Sequence, residues 1–443
     1  MKTTSIACGL LGLALAAPAY SQTVVDITGA TAFRSAAIAA IRAKFAAGGN
    51  YQYAHDAASG GVSGANKAIF KGTFQGVTGT TVVRCSWNGS VEGIRALVDA
   101  DFNPSYYQNV VGNFVTAAAS AGGETHKDTA GFAKSEETSQ SEIAFSDVTK
   151  NSTPYAASTL SPASPQCGVV VFTMLTNEGS TITNVTSKQF RALFSNGSQP
   201  LSLFTGVAAD ESMVYAVGRN DGSGTRTAYL AETGYGITTP VNQFMITNNS
   251  STTITTLRKV AAGGVGSGTD GVNDATNAST VWAQDIDGNG GYFSGSVIRG
   301  HMGKTAANVT VYDANGTDAL QEGGKADLVT WITLADANTA RTNGAVVCGF
   351  NGVKLDDFAA GTFASGNSTF NALTAVDKAK VTHGAYTAWG YQQMYARNGA
   401  YVTNTKLVYD GIKASIPANI GTAGIPFADM AVSRPSDGGV VAP

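Results

Sequence analysis

Arg219-Asn220-Asp221-Gly222-Ser223-Gly224-Thr225 sets one fixed positive charge, two hydroxyls and two glycines in a single short stretch. Val214-Tyr215-Ala216-Val217 before it alternates like a buried strand, and 226–232 after it reads as a helix closed by Gly234. A glycine-rich turn at a helix start leaves backbone N–H groups without partners, at the positive end of the helix dipole. With the guanidinium of Arg219 and the hydroxyls of Ser223 and Thr225, the turn suits a small oxyanion. Gly, Ser and Asp also build ordinary surface turns. The stretch alone leaves both readings open.

Three further stretches share this plan. Thr23-Val24-Val25-Asp26-Ile27 reads as a strand and leads through Gly29-Ala30-Thr31-Ala32-Phe33 into a helix, where Ala37, Ile38, Ile41 and Phe45 recur at helical spacing. A strand over 82–87 leads through Asn88-Gly89-Ser90 into a helix carrying Val91, Ile94, Leu97 and Val98, with Ser90 as the natural N-cap. Ile143-Ala144-Phe145 is a short strand ending at Ser146-Asp147. In an open α/β sheet, ligands bind beyond the carboxyl ends of strands. Four such ends can therefore meet in one cleft.

The elements needed to position them are legible in outline. Strands are expected at 168–175, 326–334 and 345–350, and a helix at 405–412. Thr186 caps a helix whose Phe190, Leu193 and Phe194 share a face. Residues 151–166, with Pro154, Pro162 and Pro165, have the composition of a linker. Residues 102–141 read as a polar surface excursion with a short helix near 110–118, and 386–391 as a strand or the start of a helix. Residues 247–295 have the lowest complexity, with a flexible loop around Gly266-Ser267-Gly268-Thr269, and the tail from Gly424 is rich in Gly, Ser and Pro.

Composition removes several classes of function. The chain has 443 residues, enough for two or three domains. Lys+Arg 28 against Asp+Glu 31 leaves no basic surface for nucleic acid. Lys2, the apolar run 6–17 and Ala19-Tyr20-Ser21 make a secretory signal cut after Ser21. No run is long enough to span a membrane, so the mature protein is expected to be periplasmic or secreted and not membrane-inserted. Cys85, Cys167 and Cys348 then remain, and an odd number leaves at least one thiol unpaired. A Cys167–Cys348 bridge and three buried thiols both stand open.

Other motifs fail on inspection. Asp285-Ile286-Asp287-Gly288-Asn289-Gly290 starts like a calcium loop, but its twelfth position is Ser296 and lacks the bidentate carboxylate. Gly303-Lys304-Thr305 ends like a phosphate loop for nucleotides, but Ile298 stands where the first Gly belongs. His55, His126, His301 and His383 are scattered. No metal, cofactor or catalytic motif is found, so the chain is not expected to be an enzyme.

The four stretches resemble the phosphate-binding proteins of ABC importers, a branch of the periplasmic binding proteins. Arg219 to Thr225 is similar to their R-x-D-G-S-G-T signature at every fixed position. Gly29-Ala30-Thr31-Ala32-Phe33 resembles their first phosphate loop, without the usual Pro after the aromatic. Asn88 to Ile94 resembles the second, with Val91 and Glu92 where small residues are usual, and Ser146-Asp147 resembles a short Ser-Asp motif. Residues 183–197 and Gly290-Gly291-Tyr292-Phe293-Ser294-Gly295 resemble a helix and a turn of that family. Residues 102–141 and 247–280 have no counterpart.

The resemblance implies an α/β, two-lobed clamp of the type II periplasmic-binding-protein kind, hinged on two crossing strands near 169–172 and 386–389. Lobe I would be 22–166 plus 387–443, and lobe II 167–386. It implies capture of inorganic phosphate for ABC-type import or phosphate sensing, by a monomer that delivers to a permease. Thr31, Ala32, Phe33, Ser90, Asp147, Arg219, Ser223, Gly224 and Thr225 would hold the anion, through the charge of Arg219, the four hydroxyls and the amides of Ala32, Phe33, Gly224 and Thr225. Asp221 would hold Arg219. A carboxylate at Asp147 repels an anion unless it accepts a proton the ligand carries. Phosphate keeps one at neutral pH and sulfate does not. The Gly/Ser/Thr-rich inserts fit a second class, a secreted surface or structural protein that keeps the clamp without transport.

Overall fold

The computed structural model describes residues 22–57, 61–110, 113–114, 124–127 (backbone), 135–260, 290–355, 373–421 and 423–443. The signal segment, the calcium-like residues 285–289, the loop at 266–269 and most of the helix expected over 110–118 lie outside them.

The chain opens as three strand-to-helix or hairpin units. β1 (Thr23–Gly29) leads to α1 (Arg34–Gly48), followed by the hairpin of β2 (Tyr51–His55) and β3 (Lys67–Thr73), then β4 (Thr80–Ser86) and α2 (Ser90–Val98). After β5 (Ser105–Tyr107), β6 (Glu124–Lys127) and β7 (Glu136–Thr138) comes β8 (Ile143–Ser146). The short β9 (Leu160–Ser161) precedes the long β10 (Gln166–Thr176). A second run follows: β11 (Asn184–Val185), α3 (Ser187–Asn196), β12 (Ser198–Pro200), α4 (Ser202–Thr205), β13 (Met213–Ala216) and α5 (Gly224–Glu232). Then come β14 (Phe244–Asn249), β15 (Ile254–Lys259), α6 (Gly295–Met302), β16 (Val309–Tyr312), β17 (Ala319–Gly324), β18 (Ala326–Thr333), α7 (Leu334–Arg341) and β19 (Val346–Phe350). α8 (Ala375–Thr382), β20 (Trp389–Arg397) and α9 (Thr403–Asn419) close the chain.

Two α/β halves share one continuous sheet, ordered β12-β13-β18-β10-β20-β8-β1-β4-β3-β2-β6. In the first half β1 runs parallel to β4 and β8; in the second β13 runs parallel to β18. Parallel neighbours need helical crossovers that cover the sheet faces. That is why the apolar stripes of α1 and α3 are buried, Ile38, Ile41 and Phe45 on one and Phe190, Leu193 and Phe194 on the other. Phe190 stacks on Phe194 at 4.2 Å and meets Tyr229 edge-on at 5.0 Å, forming the aromatic centre of the second half with Trp331. Each such side chain contributes about 1.5–3 kcal/mol by leaving water.

The halves are joined by two antiparallel crossing strands. β10 pairs with β20 from Gln166 to Val171, then with β18 and β19 from Phe172 to Thr176. β20 pairs with β10 at Trp389–Gln393 and with β8 at Gln393–Ala396. The second crossing therefore starts at Trp389, three residues after Tyr386. Tyr386 instead anchors the crossing, donating its hydroxyl to the Phe172 carbonyl at 2.8 Å.

Two expectations are corrected, and the open question of the cysteines is decided for three buried thiols. The stretch 102–141 is not merely a surface excursion: among its described residues β5 and β7 pair, Tyr106 and Tyr107 are buried, and Tyr106 meets Ser141 at 2.6 Å. The stretch 151–166 is not a bare linker, because β9 pairs with the end of β20. Cys167 and Cys348 are unbridged, and all three cysteines are free, buried thiols. Cys348 stands opposite Met174, while Cys167 lies seven positions earlier on the same strand. At about 3.3 Å per residue, that separation far exceeds the roughly 7 Å limit between bridged Cα atoms. No helix among the described residues is long and apolar enough to cross a membrane.

Candidate functional site

Each of the four expected strand ends reaches the junction between the halves. After β1, Gly29 has φ +113, and a Cβ there would lie 2.0 Å from the Phe145 carbonyl oxygen. Only glycine lets the chain turn so close to β8. Ala30 donates to that carbonyl at 2.7 Å, which sets Thr31, Ala32 and Phe33 ahead of α1. After β4, Gly89 has φ +117 and is the N-cap of α2; Ser90 is the first helical residue and not the cap. A Cβ on Gly89 would sit 2.6 Å from the Gly222 carbonyl. The same carbonyl accepts from the Val91 amide at 3.1 Å, so the turn 219–225 docks directly on the start of α2.

The expected residues then close on one another. Asp147 follows β8, and its amide donates to Ser90 Oγ at 3.2 Å. Thr225 donates its hydroxyl to Asp147 Oδ2 at 3.1 Å, a bond from the second half to the first. Ser223 caps α5 by accepting from the Arg226 amide at 3.4 Å. Gly224 lies so near that a Cβ would fall 2.0 Å from Asp147 Oδ1 and 2.4 Å from Ser90 Oγ. The amides of Gly224 and Thr225 belong to the first turn of α5 and have no intrahelical acceptor.

Arg219 is 2 % exposed. Its Nε donates to the Tyr292 carbonyl at 3.0 Å, and one Nη donates to the Phe293 carbonyl at 2.7 Å and to Thr31 Oγ1 at 3.5 Å. Two backbone carbonyls of the turn before α6 thus anchor the fork. Asp221 is buried and acts electrostatically on Glu92. Burial pulls the Arg219 pKa down, opposed by the carboxylates of Asp147 and Asp336. Burial pushes the Asp147 carboxyl up to about 6, opposed by its own backbone amide, Arg219 and the Thr225 hydroxyl.

Sequence reasoning missed three groups that meet the same junction. Glu92 on α2 is 1 % exposed and presses on the turn, its Cγ 2.7 Å from where a Gly222 Cβ would be. Burial, with the nearby charges of Asp221 and Asp99, raises its pKa to about 7 against the pull of Arg95. Arg34 opens α1 and is buried. Arg299 on α6 pairs with Asp336 on α7 at 2.9 Å, and Asp336 lies close to Gly295. The readable signals were Arg34 in place of the usual Pro and Glu92 in place of a small residue.

The assembly concentrates fixed positive charge, hydroxyl donors and first-turn amides around one buried carboxyl, which suits a protonated oxyanion. Among the described residues no group of three or more His, Cys, Asp or Glu is placed to hold a metal.

No protein-family model matches the chain, and no curated relative matches it. Solved structures do. A protein of Clostridium perfringens, described as a phosphate ABC transporter substrate-binding protein and solved with bound phosphate, is similar at 10% identity and a TM-score of 0.41, covering 91% of this chain and 100% of its own. An ABC-type phosphate transport receptor from Vibrio cholerae is similar at 11% identity and a TM-score of 0.39, covering 90% and 97%. A phosphate-binding protein from Stenotrophomonas maltophilia is similar at 12% identity and a TM-score of 0.31, covering 92% and 98%. Each of these likenesses extends over about nine-tenths of this chain.

Proposed function

We infer that the protein is an exported binding protein for inorganic phosphate, captured between the two halves. The observation that carries the reading is the bond from Thr225 to the buried Asp147, made beside Arg219 and Ser90. It joins donors from one half to an acceptor on the other, where a ligand touching both would favour the closed state. Residues 22–166 and 387–443 form one lobe in this reading, 167–386 the other, and β10 and β20 the hinge. Thr31, Ser90, Ser223 and Thr225 donate hydroxyls, and Ala32, Phe33, Gly224 and Thr225 donate amides. Arg219 supplies charge, and Asp147 accepts the ligand's proton. The closed form would hand its ligand to an ABC-type permease or a phosphate sensor.

Calorimetric titration with phosphate tests the reading. Wild type should bind one equivalent. Arg219→Ala should weaken binding by about 2–5 kcal/mol, because a buried anion would be left short of its charged partner. Unchanged affinity in this variant would remove Arg219 from the site.

A further inference from the structure

Arg34 is the first residue of α1 and directly follows the loop that carries Thr31. Its side chain is 91 % shielded from solvent, as its 9 % exposure shows. A guanidinium offers five N–H donors and stays charged. Among the described residues its one hydrogen-bond acceptor is a neutral amide oxygen, Asn66 Oδ1. It has no carboxylate within ion-pair distance there. The charged groups that act on it are Asp336 on α7, Asp56 after β2, Arg299 on α6 and Arg219. Of these, Asp336 is already paired with Arg299 at 2.9 Å. Burial lowers the Arg34 pKa to about 10, so it remains a cation at neutral pH.

Arg219 is in the same condition. Its second Nη lies 3.9 Å from where a Gly295 Cβ would be, with Asp336 Oδ2 2.5 Å from that point, and it has no hydrogen-bond acceptor among the described residues. Buried cations are kept only when something neutralises them. Two guanidinium groups, neither in ion-pair contact with a carboxylate among the described residues, face Asp147, Asp336 and Asp56 only at longer range, so an anionic ligand can still be met by both.

We propose that Arg34 is a ligand-binding residue of this cleft, supplying the second positive charge against a doubly charged oxyanion. The proposal rests on the phosphate reading above and narrows it: the preferred form is the dianion, and Arg34 sets that preference. Phosphate changes from monoanion to dianion near neutral pH, so the contribution of Arg34 should depend on pH.

The test is phosphate affinity at about pH 5.5 and about pH 8.5, for wild type, Arg34→Gln and Arg34→Lys, each checked for folding by circular dichroism. Titration of Asp147 is common to all three proteins and cancels in the ratio of variant to wild type. Arg34→Gln should weaken binding at least about tenfold more at the higher pH than at the lower, and Arg34→Lys should restore most of that difference. A variant-to-wild-type ratio that does not change with pH would overturn the proposal and leave Arg34 a structural residue. The same result would follow if Arg34→Lys behaved like Arg34→Gln. Where Arg34→Gln does not fold, Arg34→Met, which keeps the apolar stem and removes the charge, carries the same comparison: a loss that grows with pH supports the proposal, and a ratio that does not change with pH overturns it. Failure of wild type to bind phosphate at either pH would instead overturn the phosphate reading itself.

Discussion

At Asp147, burial and hydrogen bonding pull against each other. Burial raises its pKa to about 6, yet the carboxylate form still dominates at pH 7 and accepts from Thr225. An ionised acid there rejects an anion with no proton to offer. Asp147→Asn should therefore improve sulfate binding relative to phosphate, since the amide carries no charge and can donate. As the pH drops through about 6, the phosphate-to-sulfate ratio should also fall more steeply in wild type than in the variant, because only wild type loses the Asp147 carboxylate there. Paired titrations with the two anions check this; an unmoved ratio would place Asp147 outside the ligand's reach. Glu92 carries a different pH signature. Its folded pKa of about 7 lies above the ordinary value of 4.5, so the folded state favours its proton. Its favourable contribution is full below about 4.5 and lost as pH rises through about 7. Glu92→Gln should thus gain on wild type with rising pH, by up to roughly 3 kcal/mol. Urea midpoints at about pH 5 and about pH 8 measure that difference, and an equal gap at both would show Glu92 to be ionised without penalty.

Among the elements, the strand-to-helix units were readable because their cues are local. Apolar alternation marked β1, β4 and β13, and 3.6-residue spacing marked α1 and α3. The capping box at Thr186 and Gln189 formed where a capped helix was expected. Ser90 was misplaced by one position for a reason no local cue carries: the Gly222 carbonyl, from the other half, approaches Gly89 too closely for any side chain there. Tyr106 was hidden in the same way. It lies in a polar stretch, yet β5 seats it on the face of the first sheet, where Arg84 stacks over its ring at 5.5 Å and also pairs with Asp26 at 2.6 Å. Tyr106→Ala should cost about 3–5 kcal/mol of stability, in the range of buried aromatic truncations, with phosphate affinity unchanged. A chemical-denaturation curve and a titration decide between this and an idle surface segment.

Across the whole molecule, the halves are tied by more than their crossing strands. The C-terminal tail returns to the junction, where Arg434 pairs with Glu232 on α5 at 2.9 Å, donates to the Thr387 carbonyl at 2.7 Å and stacks on Trp389 at 4.1 Å. Three residues on, Asp437 accepts from the Thr149 amide at 2.8 Å, beside β8. Tail, second half and first half are therefore one connected set. Arg434→Ala would leave the part-buried Glu232 without its cation and should cost about 1–3 kcal/mol. Differential scanning calorimetry reads the loss; a wild-type unfolding temperature would show the pair to be solvated in solution.

Chain order, the strand-to-helix turns and the seven-residue signature at Arg219 were determined by the sequence itself, because turn chemistry and apolar periodicity act over a few residues. The proposed oxyanion class of ligand rests on the same local cues, since charge, hydroxyls and first-turn amides sit within one turn of chain. Which carbonyls hold Arg219, why Cys167 and Cys348 stay apart, how Glu92 comes to press on the turn and how Arg34 comes to be buried against Asn66 were decided only by the tertiary structure. Each of these depends on segments far apart in sequence being brought within a few ångströms. Burial then changes their chemistry, raising Glu92, lowering Arg34 and leaving two guanidinium groups at the junction without a carboxylate partner among the described residues.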